Sequence, residues 1–448
     1  MKKIRIAVVG SGISGLTAAW LLSQRHDVTL FEAEDRLGGH SRTVEVKTAG
    51  KTTCVDTGFI VSNTWTYPNF SALMTYLDVA MVDTPMTFSV SAAGGRYEYC
   101  GNHLGTMLGT PRQWLSPSHW RMMAELVRFY RNAEASAGSV GEEVTLGQYL
   151  ERNGYGETFI RRHILPMAGA IWSASPDEIA AYPFRAFVRF FANHKLFELG
   201  QRPDWRTVKG GAREYVAKLV EDGRFQIRLS TPVRRIRRQL AGVSIELGSG
   251  SIRDFDEVVI AAHADQALNL LADASAAERE LLRPFKTSAN RVVLHRDSSL
   301  MPKRKRFWSA WNYRGSGEGH ETQLAVTYWM NALQKLETPV QHFVSLNPLE
   351  EPDQRLVDGT WLCRHPIFNA LTHTAQKDLW SLQGVNRTWF CGAWFGAGFH
   401  EDGAQAGLAV AEQLGGVSRP WVVPEESGRI QLKRPAVQLP PPLVAAAE

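Results

Sequence analysis

Residues 4–22 read IRIAVVGSGISGLTAAWLL, and this stretch decides the fold of the chain. Ile4 to Val9 is an apolar run rich in β-branched residues, which is typical of a buried parallel strand. Three glycines follow with the spacing GxGxxG: Gly10, Gly12 and Gly15. The next residues have helical periodicity, and a second apolar run, DVTLFE, ends on Glu32. This order of strand, glycine-rich turn, helix and acid-ended strand predicts a dinucleotide-binding βαβ unit.

Each part of this unit has a physical role in nucleotide binding. Gly10 permits the tight turn, Gly12 lets backbone amides approach a pyrophosphate, and Gly15 lets the helix pack closely on the strand. The helix N-terminus offers free N–H groups and partial positive charge to the phosphates. Glu32 is expected to accept hydrogen bonds from a ribose diol. The predicted nucleotide-binding residues are Gly10, Gly12, Ile13, Ser14, Gly15, Glu32 and Ala33.

Length and composition restrict the class of protein. With 448 residues the chain exceeds one simple core, so two or more domains are expected. Its 44% hydrophobic and 21% charged residues are typical of a soluble globular protein. The four cysteines (Cys54, Cys100, Cys363 and Cys391) lie far apart and form no CxxC, so we predict neither disulfides nor a metal site and expect a reducing cytoplasm. The N-terminus lacks a signal-cleavage motif, and no run approaches the roughly 20 apolar residues of a membrane span.

The positive charge is small but clustered. The formal net charge is +5, and the dense spots are RRIRR (Arg234 to Arg238) and KRKR (Lys303 to Arg306). Such runs either attract nucleic acid or anionic lipid or form a solvated surface. No nucleic-acid-binding pattern accompanies them, so nucleic acid is not an expected partner.

The segment after Glu32 decides which dinucleotide is expected. Residues 33–43 read AEDRLGGHSRT and resemble the segment after the first βαβ unit in the flavin amine oxidase, protoporphyrinogen oxidase and phytoene desaturase superfamily. VDTGF, at residues 55–59, resembles the next turn of that superfamily, and no second GxGxxG supports a nicotinamide domain. The resemblance implies non-covalent FAD and adds these cofactor-binding residues: Arg36, Gly38, Gly39, His40, Ser41 and Arg42.

Further segments fit the same resemblance. STPVRRI, at residues 230–236, resembles the strand that grips the adenine, which implies that Val233 lies there. Near the C-terminus, a strand from Thr388 to Cys391 precedes a helix expected from about Gly403 to Leu414, whose N-terminus would point at the flavin pyrimidine ring. Asp402 is expected to be its N-cap. The resemblance implies that this segment contributes Gly392, His400, Glu401, Asp402, Gly403 and Ala404 to cofactor binding.

Candidate catalytic residues come from two places. His400 occupies the position where amine oxidases place an aromatic residue facing the flavin, so we expect it to act as a base or a positioning group. Asn290 and Arg291 occupy the stretch in which those enzymes often have a lysine, and this departure weakens the amine oxidase interpretation. Cys391 lies in the predicted buried strand and does not match the covalent-flavin cysteine motif of monoamine oxidases.

A narrower resemblance suggests the substrate. Residues 293–313, 327–336 and 343–348, together with GAWFGAGFHEDG, resemble a family of bacterial predicted NAD/FAD-binding proteins that accompany enzymes modifying membrane acyl chains. The resemblance implies an FAD-dependent oxidoreductase that desaturates a hydrophobic substrate, a modified fatty-acyl chain of a membrane lipid, by hydride transfer to flavin N5. Two alternatives stay open: a peroxide-producing amine oxidase, and a non-catalytic flavin-bound scaffold for a lipid-modifying partner.

The resemblance also implies a fold class, α/β in its core and α+β overall. We expect a discontinuous Rossmann-like FAD domain of the amine oxidase and glutathione reductase type, formed by residues 1–75, 205–270 and 380–420. A substrate domain of helices and antiparallel sheet is expected over 76–204 and 271–379, and an extended arm over 421–448. The helices carry apolar stripes, one of Trp120, Met123, Val127 and Tyr130 and one of Phe184, Phe187 and Phe191. These stripes are either core or the wall of an apolar pocket, and the basic residues beside them would rest on anionic lipid at the inner face of the membrane.

Overall fold

The computed structural model describes residues 2–48, 50–101, 104–172, 174–197, 203–315 and 325–432, and it forms mixed sheets with helices around them. The strands are β1 (Arg5–Val9), β2 (Asp27–Phe31), β3 (Thr43–Thr48), β4 (Lys51–Asp56), β5 (Ser62–Asn63), β6 (Met81–Asp83), β7 (Phe88–Ala92), β8 (Tyr97–Cys100), β9 (Trp205–Val208), β10 (Gln226–Arg228), β11 (Val233–Gln239), β12 (Gly242–Leu247), β13 (Ile252–Phe255), β14 (Glu257–Ile260), β15 (Lys286–His295), β16 (Trp311–Gly315), β17 (Ala325–Trp329), β18 (Phe343–Leu346), β19 (Val357–Ile367) and β20 (Thr388–Phe390). The helices are α1 (Ile13–Ser23), α2 (Pro68–Tyr76), α3 (Leu104–Met107), α4 (Pro111–Trp114), α5 (Pro117–Ser139), α6 (Leu146–Arg152), α7 (Glu157–Phe159), α8 (Leu165–Trp172), α9 (Pro176–Ala180), α10 (Phe184–Asn193), α11 (Arg213–Asp222), α12 (Ala264–Leu270), α13 (Ala276–Leu282), α14 (Met330–Leu333), α15 (Ala370–Gln376) and α16 (His400–Gly415).

A parallel sheet with the strand order β10-β2-β1-β14-β20 forms the nucleotide-binding core. Its central strand β1 is apolar and buried from Ile6 to Val9. Val9 pairs with Phe31 on one side and with Ile260 on the other, and Ile260 pairs with Phe390. Because all these strands end at one edge, the loops that follow them meet there. The α/β fold class is therefore confirmed.

Helices α1 and α16 run side by side in the same direction, so their N-termini lie together. The Cβ that an alanine would add at Gly403 meets Ile13 Cγ2 at 2.8 Å, and at Gly407 it meets the Ser14 carbonyl oxygen at 2.2 Å. At the far end, a Cβ at Gly415 would meet Leu22 at 2.7 Å. Glycine is required where the helix backbones approach this closely. Helix α16 begins three residues earlier than the sequence predicted and continues to Gly415.

A second sheet combines strands from two distant parts of the chain. Its order is β19-β15-β18-β17-β16-β7-β8, and neighbouring strands are antiparallel except for the parallel pair β16 and β7. Strands β7 and β8 come from the first segment of the predicted substrate domain, residues 76–204, and the others come from the second, residues 271–379; we call these segments the first and second insertions. The two predicted insertions therefore share one sheet, and the exact domain boundaries stay a prediction.

The burial of helices α5 and α10 shows how far each predicted apolar stripe faces the core. Phe184, Phe187 and Phe191 are fully buried, as the core interpretation required. On α5, Met123, Val127 and Tyr130 of the predicted stripe are partly buried against the core, and the most buried positions lie one residue earlier: His119, Met122, Glu125, Leu126, Phe129 and Ala133. Trp120 is instead 49% exposed, since α5 packs on α10 through the face of Phe129. A π-helical turn, Ile160–Ile164, joins α7 to α8.

The chain after α16 returns to the core. Residues 421–432, predicted as part of an extended arm, form neither helix nor strand, but Trp421 stacks on Trp20 with ring centroids 5.8 Å apart. Residues 433–448 of the predicted arm lie outside the described part of the chain. None of the described helices is long and apolar enough to cross a membrane.

Candidate functional site

The glycine loop after β1 has the shape of a phosphate cradle. Gly10 has φ +101°, and a Cβ there would meet the Ala261 carbonyl oxygen at 2.7 Å, so only glycine suits the turn. A Cβ at Gly15 would meet the Gly10 carbonyl oxygen at 1.9 Å. At Gly12, by contrast, a Cβ would find none of the described atoms within 4 Å. The loop is thus tightly packed behind and open in front, at the N-terminus of α1.

Glu32 lies at the end of β2, where the sequence placed the ribose acceptor. Its carboxylate accepts hydrogen bonds from the Ser11 amide at 2.9 Å and from the Glu34 amide at 2.9 Å. The Thr231 amide donates to the Glu32 carbonyl at 2.8 Å. This bond holds the start of β11, with the predicted adenine residue Val233, beside the nucleotide edge. The exposed Ala33 follows Glu32 directly.

The glycine pair 38–39 packs on the glycine loop. Gly38 and Gly39 have φ of +104° and +54°, and a Cβ at Gly39 would lie 3.0 Å from Gly12 Cα. The Arg36 guanidinium donates to the Gly39 carbonyl at 2.9 Å, and its Nε is buried without a partner among the described residues. A buried guanidinium N–H left over beside an open phosphate cradle fits a pyrophosphate. The residues present therefore fit FAD.

The residues after the glycine pair take three different directions. The His40 Nε2 lies 3.0 Å from the Arg364 carbonyl oxygen, and the Arg42 guanidinium stacks on Trp361 at 4.5 Å. Ser41 is buried and hydrogen-bonded to the Tyr215 hydroxyl. Position 41 therefore connects this loop to α11, and position 42 connects it to β19.

His400 is the first residue of α16 and is enclosed by aromatic rings. Its ring stacks on Phe59 with centroids 3.7 Å apart and an interplanar angle of 9°. Phe70 and Tyr215 approach it edge-on, and the Tyr215 hydroxyl lies 2.9 Å from His400 Nε2. Burial lowers the pKa of His400 to about 3, with a smaller contribution from His40. His400 is therefore neutral near pH 7 and suits a positioning group better than a base.

The acids after His400 are buried and already bonded. Glu401 accepts hydrogen bonds from the backbone amides of Asn69 at 3.0 Å and Phe70 at 2.9 Å, so it caps α2. Asp402 lies inside the first turn, which corrects the predicted N-cap role. Its carboxylate accepts from the Phe399 amide at 2.7 Å and pairs with the Arg429 guanidinium at 2.6 Å. This pairing leaves the positive helix end unopposed by the acid. The neighbouring predicted contacts Gly403 and Ala404 are buried where α16 meets α1, and Gly392 is extended, with φ 166°.

Strand β15 directs its two candidates apart. Asn290 is 2% exposed, and its Nδ2 lies 3.2 Å from His365 Nδ1 on β19. The His365 ring centroid is 5.5 Å from that of His40. Through His365, Asn290 is therefore connected to the loop that follows the glycine pair, which we call the cofactor loop. Arg291 instead pairs with Glu351 at 2.6 Å, and its side chain is 37% exposed. The structure therefore brings Asn290, and not Arg291, toward the predicted site.

Three site residues escaped the sequence analysis. Tyr215 bonds to His400 from 185 residues away, and no local pattern marks it. Cys363 and His365 lie two residues apart on β19, so their side chains share one face of the strand, and this spacing could have marked them as a candidate site. Cys391, by contrast, is fully buried, and burial raises the pKa of its thiol to about 12. That inert thiol is consistent with a non-covalent cofactor.

Comparisons with known proteins agree with this geometry. A curated relative, "Putative flavin-containing monoamine oxidase AofH" of Mycobacterium tuberculosis, is 26% identical over 253 residues. The alignment covers 55% of this chain and 54% of that protein. The chain thus spans about half the length of the curated relatives that it matches. Cyclohexylamine oxidase from Brevibacterium oxydans shares the fold with a TM-score of 0.66 at 18% identity, over 92% of this chain and 100% of that one. The CLA-producing fatty acid isomerase from P. acnes shares the fold with a TM-score of 0.65 at 17% identity, over 92% of this chain and 98% of that one.

The profile of one protein family covers nearly all of the nucleotide-binding and insertion segments. It is described as flavin containing amine oxidoreductase and matches residues 13–415. This match confirms the superfamily resemblance drawn from the glycine loop, the glycine pair and the C-terminal helix, and it implies the FAD cofactor that those residues fit. The chain therefore belongs to the family of flavin containing amine oxidoreductases.

Proposed function

We propose that this chain is an FAD-dependent oxidoreductase that dehydrogenates a hydrophobic substrate, a modified fatty-acyl chain of a membrane lipid. FAD, when bound, would be the oxidant and would accept the hydride at N5. The observation that carries the proposal is an uncharged aromatic wall formed by the stacked and partly accessible rings of Phe59 and His400, against which the fully buried Phe70 and Tyr215 pack. Such a wall favours an apolar chain over a charged one because it offers contact area without a counter-ion.

The carboxylates closest in sequence to His400 do not favour an ammonium substrate. Glu401 is bonded to the start of α2, and Asp402 is paired with Arg429. An amine would have to break one of these buried contacts to gain a charge partner, and doing so would leave a buried group unpaired. The neutral His400 adds no charge to the wall near pH 7.

The chain's own residues would bind the cofactor and position the substrate. The amides at the start of α1 receive the pyrophosphate, with Arg36 beside them, and Glu32 accepts from the ribose. The N-terminus of α16 stabilises negative charge that develops in front of it. Tyr215 orients His400, whose ring, stacked on Phe59, excludes water from the substrate side.

The fold itself admits both substrate classes. Among the structural neighbours, one is a fatty acid isomerase and another is a cyclohexylamine oxidase, at 17% and 18% identity. Identity this low supports the common fold and leaves the substrate to the site residues. The amine oxidase alternative keeps the support of the family and of the AofH match, so the experiment must include amines.

Anaerobic reduction of the bound flavin tests the proposal. We expect the visible flavin absorption to bleach on adding phospholipids with methyl-branched or otherwise modified acyl chains, and not on adding mono- or polyamines. Phe59→Asp, which places a charge against His400, should slow bleaching by lipid at least tenfold, whereas Phe59→Leu should retain it. Bleaching by amines, followed by peroxide release when oxygen is readmitted, would establish the alternative. A bound flavin that no substrate reduces would favour the scaffold role.

We also propose a peripheral contact with anionic membrane through the turn between α4 and α5. Trp114 and Trp120 are 49% exposed and Leu115 is 87% exposed, and Arg112 and Arg121 flank them. Amphipathic rings beside arginines suit the interface of an anionic bilayer. Flotation with vesicles of anionic phospholipid should be lost in Trp114→Ser/Trp120→Ser and retained in Trp65→Ser, another half-exposed tryptophan. Equal flotation of both variants would count against this surface.

A further inference from the structure

A small polar cluster lies where the cofactor loop meets the second sheet. Cys363 and His365 occupy one face of β19, opposite Asn290 and Ser288 of β15. His40 approaches from the loop that follows the glycine pair, with its ring 5.5 Å from that of His365. Cys363, His365 and His40 are all partly accessible, although the surrounding strands are packed. The cluster is therefore partly accessible and lies beside the loop that carries His40, a predicted cofactor contact.

A chain of hydrogen bonds fixes the donor directions of Asn290 and His365 in this cluster. The backbone N–H of Arg291 donates to Asn347 Oδ1 at 2.8 Å, so the amide of Asn347 cannot be reversed. Asn347 Nδ2 therefore donates to Asn290 Oδ1 at 2.8 Å, and Asn290 Nδ2 faces His365 Nδ1 at 3.2 Å. With Nδ1 accepting, His365 carries its proton on Nε2, which lies 3.5 Å from the Cys363 sulfur. The sulfur thus faces a committed N–H donor.

The same direction disfavours a metal ion at this place. His40, Cys363 and His365 bring potential ligand atoms within 4.8 Å of one another, which is a spacing that a metal could use. A histidine that binds metal through Nε2 must donate its Nδ1–H to an acceptor. Asn290 presents a donor there, because its amide is oriented through Asn347. The network is arranged for an anionic sulfur and not for a cation.

We propose that Cys363 is a thiolate in the resting protein and that it accepts the proton released when the substrate is dehydrogenated, with His365 as its positioning residue. Its role as proton acceptor rests on the proposed function, whereas the thiolate itself does not. Burial by itself raises the pKa of the Cys363 thiol, but His40 and the hydrogen bond from His365 outweigh burial and lower it to about 5. Burial instead raises the pKa of Cys54, and the opposing effect of Arg213 does not outweigh it.

The step balances with the family's cofactor. One substrate C–H bond breaks with its electron pair, which leaves as hydride and reduces bound FAD. The neighbouring C–H bond then breaks toward the Cys363 sulfur: an S–H bond forms, and the released electron pair closes the C=C bond. Because hydride departure makes the neighbouring proton acidic, a base as weak as a thiolate suffices. Besides the cluster members His40 and His365, the titratable or charged groups that act on it are Arg36, Arg42, His263, Tyr328 and His400.

Alkylation tests the thiolate without substrate. Iodoacetamide should modify Cys363 in the FAD-loaded protein with a rate that rises to a plateau through a midpoint near pH 5, read by peptide mass spectrometry. Cys54 in the same sample should react only at alkaline pH. In His365→Leu the Cys363 midpoint should rise by at least one pH unit, and in His365→Gln, which keeps an N–H donor, it should rise less. A wild-type midpoint above pH 8, or stoichiometric Zn²⁺ binding that protects Cys363, would overturn the proposal.

Flavin reduction tests the proton acceptor separately. Cys363→Ser should retain FAD, but the lipid substrate should reduce that FAD at least a hundredfold more slowly. The fall in the reduction rate below about pH 5, expected for the wild type, should be absent in this variant. Cys54→Ser should behave as the wild type. A thiolate confirmed by alkylation together with full activity of Cys363→Ser would refute the catalytic role alone. If no lipid reduces any variant, the proposed function fails while the alkylation result still stands.

Discussion

At the residue scale, Gly12 and Gly15 have opposite environments in one loop. Gly12 has φ −63° and open space in front of it, whereas a Cβ at Gly15 would meet the Gly10 carbonyl oxygen at 1.9 Å. We therefore expect Gly12→Ala to fold with an unchanged apoprotein melting temperature and to lose FAD affinity at least tenfold, because its methyl group occupies the cradle. Gly15→Ala should be destabilised by several kcal/mol. Fluorescence titration of FAD and thermal melts of the apoproteins separate the two effects, and normal FAD affinity in Gly12→Ala would contradict the cradle.

The buried pair of Asp402 and Arg429 gives a second test at this scale. The Asp402 side chain is fully buried and that of Arg429 is 16% exposed. Removing one partner leaves the other charge unpaired, so Asp402→Asn should lower the free energy of unfolding by about 3–5 kcal/mol. Asp402→Asn/Arg429→Met removes both charges and should lose less. Urea unfolding of both variants measures this, and an equal loss in the double variant would show that the ion pair is not the cause.

Single residues were predictable where a local constraint dictated them. The glycines and Glu32 follow from the backbone geometry of one βαβ unit, and the structure places them together at the edge where the parallel strands end. Tyr215 acts through His400, 185 residues away, and Arg429 acts through Asp402, 27 residues away, so no periodicity marked them. The predicted N-cap, Asp402, moved into the helix because α16 begins at His400. Its carboxylate still bonds the amides before the helix, as a residue at the third helical position can.

At the element scale, the segment after α16 supports the start of that helix. Trp421 stacks on Trp20 of α1, and Arg429 neutralises Asp402 in the first turn of α16. A chain ending at residue 420 should therefore lose stability by at least the amount of Asp402→Asn, about 3 kcal/mol or more. It should also bind FAD more weakly, because an unpaired carboxylate then opposes the positive helix end.

The matched control for this truncation ends at residue 432, which keeps both contacts. Thermal melts and FAD titrations of the two shortened chains should differ clearly, with the longer one close to the full chain. Equal behaviour of both would mean that the packed segment contributes nothing to the site. The sequence could not reveal this packing, because a proline-rich stretch without periodicity carries no signal for long-range contacts.

Helix α5 shows why an element can be predicted and its buried face missed. Its length and its start after Ser116 follow from the pattern and from Pro117. Two stripes one position apart are both apolar, however, and the neighbouring helix decides between them. Packing against Phe187 of α10 buries Phe129 and leaves Trp120 half exposed. A stripe on an isolated helix cannot make that choice.

At the scale of the whole molecule, the nucleotide site depends on distant parts of the chain. Strands β1 and β20 lie nearly 400 residues apart in the sequence, yet they belong to one sheet and end at one edge. The second sheet likewise joins β7 to β16 across more than 200 residues. Destabilising either insertion is therefore expected to weaken FAD binding as well, so stability and FAD affinity should change together.

Acid should unfold this protein steeply, because its buried histidines are neutral. Burial lowers the pKa of His163, His263 and His295 to about 4 and that of His194 and His400 to about 3. In the unfolded chain these side chains bind protons below about pH 6.5, so their stabilising contribution is present above that pH and is lost as the pH falls. Asp56 acts in the opposite direction. Burial raises its pKa to about 7, so as the pH falls the folded state takes up a proton here that the unfolded chain does not yet bind, and this favours the folded state.

The five histidines outweigh the one aspartate, so the free energy of unfolding should fall by about 5 kcal/mol per pH unit between pH 6 and 5. Urea titrations at half-unit intervals measure this slope. His194→Phe is the matched variant, because His194 Nε2 is buried without a partner among the described residues and its ring stacks on Phe190. Its slope should be shallower by about 1.4 kcal/mol per pH unit, the contribution of one proton. Stability that stays constant from pH 6.5 to 5 would mean that these histidines are charged or accessible in the folded protein.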